Sequence, residues 1–328
     1  MQNPAMVIHP VPLAQLQPVG LSPDETAAVI AAAAKLDDGV RWVLPMPGFR
    51  PDAYVTHLRS VDLPGEQVVR APAEAPHLPP RRLLVDENGR HGGRPVCMLG
   101  NSEASHSRWA PERPDAMVEL HESLRFATRQ LMPQRLHYTL ARMAWERRKQ
   151  WKNRQFHLLL DRHLIATIEP AHWRMSLRTG VTPTQLAEAE IVARPHSAEV
   201  PSKSLKPFAM AQALWTLAQR CDTESLPEML PTSFLDSRLC RRHALPVAAS
   251  EAGQHCLTVL DALEMTSLNA EELRAMLELP EPVLMRALTC LALGRAIRQT
   301  REENPISRLS AWLPSSWRQS LAHTSELD

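Results

Sequence analysis

Apolar residues recur at Leu284, Ala287, Leu288 and Leu291, the i, i+3, i+4, i+7 spacing of one buried helical face. Leu257, Leu260 and Leu263 mark a preceding helix over 254–265. Leu273, Met276 and Leu277 mark a short helix between the two. Asn269 followed by Glu272 starts that middle helix as a reciprocal cap, and 279–282 (Leu-Pro-Glu-Pro) turns the chain into the next. Residues 295–299 and 306–309 then read as two short strands around a turn at 302–304. Upstream, Ser22, Pro23 and Glu25 form a helix start, with the helix running to Leu36 and ending at 37–39. A short strand is expected over 40–44. Apolar runs at 82–85 and 95–99 flank Asn88-Gly89, the signature of a hairpin. Helices are expected over 115–131 and 133–151. Paired strands follow at 156–160 and 164–168 with Asp161-Arg162 at the turn, and a third strand at 173–177. Thr182 opens a helix to Val192, and 208–220 is another. Prolines break 60–80, 111–114 and 222–250.

The order of three helices and two short strands over 254–309 resembles a winged-helix domain, the helix-turn-helix variant with a β-hairpin. The resemblance covers about 56 of the 328 residues. It implies that the third helix reads a DNA major groove and the wing touches phosphates, which assigns those roles to Arg286 and Thr289 and to Arg295 and Arg298. The 17 or so residues around 154–156, 158–160 and 165–170 also resemble the regulatory segment that follows some bacterial methyltransferase domains. No Gly-rich cofactor loop accompanies them. The chain as a whole reads as α+β. A mixed domain with short antiparallel strands spans 1–195 and a helical connecting region spans 196–250. The winged-helix-like unit spans 251–312 and a tail 313–328.

Charge changes this picture locally, not globally. The net charge is only +1, so nothing steers the whole molecule toward nucleic acid or a membrane. Residues 123–163, however, hold ten cations against Glu146 and Asp161. On the 133–151 helix, Leu136, Leu140 and Met143 form the apolar stripe. The opposite face then carries Tyr138, Arg142, Trp145 and Lys149, with Arg135, Arg148 and Lys152 beside or beyond it. Aromatics among cations suit polyanion binding as well as cation–π contacts inside a protein. Between 254 and 300 six acids outnumber four bases, which is the wrong sign for a unit that neutralises phosphates.

Candidate chemistry is sparse. There is no P-loop, GxGxxG, HExxH or EF-hand pattern, and Gly numbers only 11. His157 and His163 could approach across the strand pair, but no carboxylate or cysteine is spaced to complete a metal site. Asp115, Glu119 and Glu122 share a helix face as complements to its N-terminal dipole. His255 and Cys256 diverge by about 100° on a helix. The five cysteines include no CxxC pair, so a reducing cytosol is expected. No apolar run approaches the ~18 residues of a membrane span, and the N-terminal stretch to Leu21 lacks the features of a secretory signal. The expectation is therefore a non-catalytic interaction or regulatory component of a bacterial cytosolic assembly, with no cofactor and no metal. Its expected partner is a protein, with a DNA- or RNA-binding regulator as the alternative and an enzyme with an unrecognised site as the third reading.

Overall fold

The structure is a computed structural model that describes residues 8–46, 49–57, 60–63, 66–70, 82–100, 111, 115–152, 154–199 and 204–300. Strand β1 (Leu13–Pro18) leads into helix α1 (Pro23–Ala34), and the capping box at its start is present. Glu25 N–H donates to Ser22 Oγ at 3.2 Å, and Ser22 N–H donates to the Glu25 carboxylate at 2.7 Å. Helix α1 carries the chain back so that β2 (Arg41–Val43) lies parallel beside β1. Strand β3 (Ala53–His57) lies parallel on the other side of β1.

Next come β4 (Ser60–Leu63), β5 (Glu66–Arg70) and β6 (Arg82–Val85), a small antiparallel sheet in that order. Strand β7 (Arg90–His91) turns into β8 (Arg94–Leu99), which pairs parallel with β3. The five-stranded sheet has the order β2-β1-β3-β8-β7. Helix α2 (Ala116–Gln130) joins α1 over Ala14, Leu16, Ala53, Val55, Cys97 and Leu99, which close the first core. The α+β class holds, but this first sheet is mostly parallel. A helical crossover can return the chain parallel, and strands this short carry no sequence mark of that choice.

The turn at Asn88-Gly89 forms, with Gly89 N–H donating to Asp86 C=O at 2.9 Å and the Asp86 carboxylate accepting from Asn88 and Arg90 N–H. Its expected strand pair does not. Strand β6 pairs with β5, and β8 takes β7 as its antiparallel neighbour through Gly92 and Gly93, at φ +55° and +78°.

The second sheet is wholly antiparallel. After helix α3 (Met132–Glu146) come β9 (Arg154–Leu160), β10 (His163–Glu169) and β11 (Arg174–Arg178). Helix α4 (Pro183–Glu188), β12 (Glu190–Pro195) and β13 (Leu205–Ala209) follow, giving the order β12-β9-β10-β11-β13. Asp161 and Arg162 turn β9 into β10 with φ +49° and +65°, the left-handed pair that a tight hairpin requires. Strand β13 pairs with β11 along its whole length, so this sheet continues past the boundary expected at 195.

Helix α5 (Met210–Arg220) is shared by two cores. Ala213, Leu214 and Leu217 pack with α3 and the second sheet, while Trp215 and Ala218 join the C-terminal core. That core holds β14 (Leu239–Arg241), α6 (Ala249–Ala252), α7 (Gln254–Met265), α8 (Ala270–Leu277), α9 (Glu281–Leu293) and β15 (Ile297–Gln299). Asn269 caps α8 reciprocally with Glu272, and Leu284, Ala287, Leu288 and Leu291 are buried as the stripe predicts. Strand β15 pairs with β14. The returning strand expected at 306–309 lies outside the described residues. Gly294 ends α9 where a Cβ would come within 2.8 Å of the Trp215 ring and 2.9 Å of the Cys290 carbonyl, so only glycine admits this close packing.

Two arginines tie the cores together at the C-terminal end of α5. Arg220 reaches into the first sheet and donates to both Asp52 carboxylate oxygens, at 2.8 and 2.6 Å, and to Leu13 C=O at 3.0 Å. Asp52 also accepts Gln15 N–H at 2.8 Å. Arg286 arrives from α9, fully buried. Its Nη1 donates to the carbonyls of Ala218, Gln219 and Cys221 at 2.9, 3.0 and 2.9 Å, and its Nη2 to Thr223 Oγ1. The last carbonyls of a helix have no partner within it and carry the negative end of its dipole, so a guanidinium there satisfies both.

Removing one partner of a buried ion pair leaves an uncompensated charge, whereas an exposed pair is worth little. Asp52→Ala is therefore expected to lower unfolding stability by about 3–5 kcal/mol. Glu146→Ala, which breaks the surface pairs with Arg142 at 2.6 Å and Arg147 at 3.6 Å, is expected to cost under about 1 kcal/mol. Urea titrations of the two variants check the contrast; equal losses would show that Asp52 is not the anchor.

Candidate functional site: a tryptophan–arginine ridge

The structure reorients most of the residues that the basic helix and the winged-helix resemblance single out. Helix α3 packs on α5 and α4 and shares one core with the second sheet, so it is buried on more than its apolar stripe. Tyr138 is fully buried, donates to His9 C=O at 2.8 Å, and has its phenol pKa pushed up by desolvation. Trp145 is only 8% exposed. Arg142 pairs with Glu146 at 2.6 Å. Arg135 is half-buried over Gly39 beside Asp38; desolvation lowers its pKa, while the Asp38 charge opposes that shift. Gly39, at φ +83°, leaves room there that a side chain would take from the guanidinium.

On α9, Arg286 and Thr289 point inward, Thr289 Oγ1 donating to Met285 C=O at 2.8 Å. Neither can read a groove. The part of α9 that bears them packs on α5, which leaves Glu281 and Pro282 at its start exposed. Arg148, Lys149, Lys152, Arg295 and Arg298 remain exposed.

Those exposed cations are not scattered. Helix α3 stops at Glu146 and the chain makes a 3-10 turn over Arg148–Gln150. Trp151 then folds back, its indole N–H donating at 3.0 Å to Ala144 C=O, which also accepts Arg147 N–H at 3.0 Å. Its ring stands edge-on to Trp145 (6.0 Å, 75°) and to Trp173 (5.7 Å, 83°). The Arg148 guanidinium lies 4.7 Å over the Trp145 ring, and that of Arg295 lies 3.6 Å over the Trp173 ring. Three tryptophans thus run in a row with a stacked arginine at each end. The row joins the end of the basic helix to the residue that follows α9. It brings together Arg148, Trp145 and Arg295, with Lys149 and Lys152 on the turn that carries Trp151. Arg242 adds charge beside Arg295, whose pKa falls through desolvation and then this like charge.

Trp173 and Arg295 both occupy left-handed backbone, at φ +52° and +60°. Such conformations cost non-glycine residues about 1–3 kcal/mol each. The Arg295–Trp173 cation–π contact and the Trp151–Trp173 ring pair contribute about 1–3 kcal/mol together, which offsets part of that cost. Trp173 is fixed further by its N–H to Pro170 C=O and by Met210 N–H to its own carbonyl, each 3.1 Å. Trp151, Trp173 and Arg242 were not among the expected site residues. Three tryptophans within 29 residues of a cation-rich stretch was the signal present for the first two.

The ridge has no general base or nucleophile. Its chemistry is anion contact: the stacked guanidiniums of two exposed arginines cover ring faces, Arg148 Nη1 also donates to Trp145 C=O at 3.1 Å, and a planar guanidinium suits carboxylate or phosphate. Neither Arg148 nor Arg295 pairs with a carboxylate among the described residues.

Elsewhere, His157 faces Thr167 across the β9–β10 ladder while His163 faces Leu160, so the two histidines stay apart. Burial, and then Arg194, lower the His157 pKa. Glu119 accepts Gly100 N–H at 2.6 Å and so closes a backbone turn. His255 packs on Phe49 while Cys256 is buried. Among the described residues no three His, Cys, Asp or Glu side chains gather to hold a metal. No helix there is long and apolar enough to cross a membrane.

Burial pushes the Cys97 and Cys221 thiols up to about 12, and raises that of Cys290 too. The thiolate is the reactive form, so at pH 8 iodoacetamide is expected to modify only the half-buried Cys240 in the folded protein, and all five cysteines after denaturation. Mass spectrometry of the labelled peptides reads this; rapid labelling of Cys97 or Cys221 in the folded state would restore a candidate nucleophile. No family model matches the chain, and neither the curated proteins nor the solved structures contain a significant match to it.

Proposed function

We propose that this protein is a non-catalytic interaction component of a bacterial cytosolic assembly, and that it docks an acidic protein partner on the tryptophan–arginine ridge. The observation that carries the reading is the pair of guanidiniums, Arg148 and Arg295, each stacked on an end of one tryptophan row with no carboxylate partner among the described residues. Pre-stacked arginines lose little side-chain freedom on binding, which favours a carboxylate-rich surface. Five free cysteines, four of them buried, support a reducing compartment.

The last unit serves in this reading as a winged-helix-like packing module. The order α7, α8, α9, β15 supports that description. Its third helix is used against α5, and its contribution to the docking face is Arg295, with Arg298 exposed on β15.

A second reading is nucleic-acid binding through phosphates alone, favoured by the ten cations of 123–163. Two observations speak for the protein partner over it. Arginines cover ring faces of Trp145 and Trp173 that bases would stack on, and Arg286 and Thr289 are buried away from any base edge.

Fluorescence anisotropy over a salt series tests both readings, with a labelled 20-residue polyglutamate peptide and labelled single- and double-stranded oligonucleotides. A variant carrying Arg148→Glu, Lys149→Glu, Lys152→Glu and Arg295→Glu reverses the charge of the ridge, and its circular dichroism is compared with wild type to check that it folds. The expected result is salt-sensitive binding of the acidic peptide that weakens at least about tenfold in the variant. Preferential binding of an oligonucleotide, lost in the same variant, would install the second reading. Absence of binding to every probe at low salt would sink both.

A further inference from the structure

Three arginines meet at a second place, which shares no residue with the ridge. A cavity of about 290 Å3 lies between the β7–β8 turn and the α2–α3 junction, lined by Arg50, Arg90, Arg94, Gln130 and Gln134 among others. A smaller cavity of about 140 Å3 shares Arg94, Gln134 and Glu251 with it and continues to His137, Gln212 and Trp215. The larger space is close to the lower end of small-molecule sites, roughly 300 Å3.

The local sequence explains why the guanidiniums can converge. Gly92 and Gly93 make the turn with positive φ, and a Cβ at 92 would come 3.0 Å from Arg50 Nη2, so glycine keeps the wall open for that side chain. Arg90 Nη2 donates to Gln130 Oε1 and is held in the wall. Arg50 and Arg94 make no side-chain hydrogen bond or ion pair among the described residues. Glu251 is the only acid in the lining of either cavity. Like charges gathered at a cavity repel unless an anion stands between them.

Two further groups point to the remainder of a ligand. Gln134 Oε1 is a buried acceptor without a donor. Trp215 is 1% exposed, and its indole N–H is a buried donor without an acceptor. Buried polar atoms are normally paired, and both of these residues line the cavities.

We propose that this cleft binds a small organic phosphate. Its phosphoryl group lies among Arg50, Arg90 and Arg94, and its hydroxyl-bearing remainder lies toward Gln134 and Trp215. A phosphomonoester fits three converging guanidiniums better than a carboxylate does, because it offers three terminal oxygens and up to two charges where a carboxylate offers two and one. The site is independent of the ridge and shares no residue with it.

Isothermal titration calorimetry on the full chain tests this, with ribose 5-phosphate, inorganic phosphate and citrate at matched ionic strength. Ribose 5-phosphate is expected to bind saturably with a Kd below about 1 mM, and more tightly than inorganic phosphate or citrate. Arg50→Gln and Arg94→Gln are each expected to weaken it at least about tenfold. Glu251→Gln, which removes the opposing charge, is expected to tighten it about twofold. Arg50 is exposed, so its replacement leaves the thermal midpoint unchanged and decides the question even if Arg94→Gln fails to fold. No saturable heat with ribose 5-phosphate at about 10 mM, or equal binding by wild type and Arg50→Gln, would overturn the proposal. Tighter binding of citrate would overturn the phosphoryl assignment.

Discussion

The carbonyls at the C-terminal end of α5 are the point on which the arrangement of this molecule depends. Three of them, on Ala218, Gln219 and Cys221, have no acceptor role inside the helix, and the fully buried Arg286 takes them all. One residue away, Arg220 leaves the same helix end for Asp52 in the first sheet. Two cations at one helix terminus would repel each other in an apolar interior. They are tolerated because one faces a carboxylate and the other faces a cluster of carbonyl dipoles. The result is a hub where the first sheet, the second layer and the C-terminal helices are all fastened to one helix.

The ridge inherits its geometry from that hub. The first N–H of α5, on Met210, is bonded to the carbonyl of Trp173. At its other end α5 holds α9 through Arg286, and α9 runs out through Gly294 to Arg295, which lies on the ring of Trp173. Helix α5 therefore fixes both members of that cation–π pair from opposite ends. Helix α3, packed against α5, carries Trp145, Arg148 and the turn to Trp151. A surface assembled from residues 145, 151, 173 and 295 exists only because one buried helix positions all the segments that bear them. The left-handed backbone at Trp173 and Arg295 is the local sign of this constraint: the segments that bear them are fixed from both ends of α5, and that overrides the preference of each residue.

The two cation clusters differ in kind. On the ridge, guanidiniums lie flat on rings at an outer surface, which suits an extended acidic partner. In the cleft, Arg50, Arg90 and Arg94 line an open-sided space beside unpaired buried polar atoms, which suits a compact ligand. A chain with net charge +1 supports both because its arginines are concentrated where acids are few.

What the sequence by itself determined is local. The capping boxes at Ser22, Thr182 and Asn269, the turn at Asp161-Arg162 and the buried stripe Leu284–Ala287–Leu288–Leu291 all follow from interactions spanning a few residues. The α+β class follows from their sum. The exposed cations 148, 149, 152, 295 and 298 were legible as well, since charge without a buried partner stays at the surface. Tertiary structure alone decided the rest. Periodicity can assign one apolar face to the 133–151 helix, but a helix packed on other helices and under the chain at His9 and Trp151 buries a second face, and Trp145 and Tyr138 go inward with it. Arg286 reads as an outward cation because its partners are backbone carbonyls 65 to 68 residues away, which no side-chain pattern encodes. The same holds for the parallel pairing of β1 with β3 and for Asp52 with Arg220, 168 residues apart. Contacts within a turn or a helix are written in neighbouring residues; contacts between layers depend on where the whole chain places them.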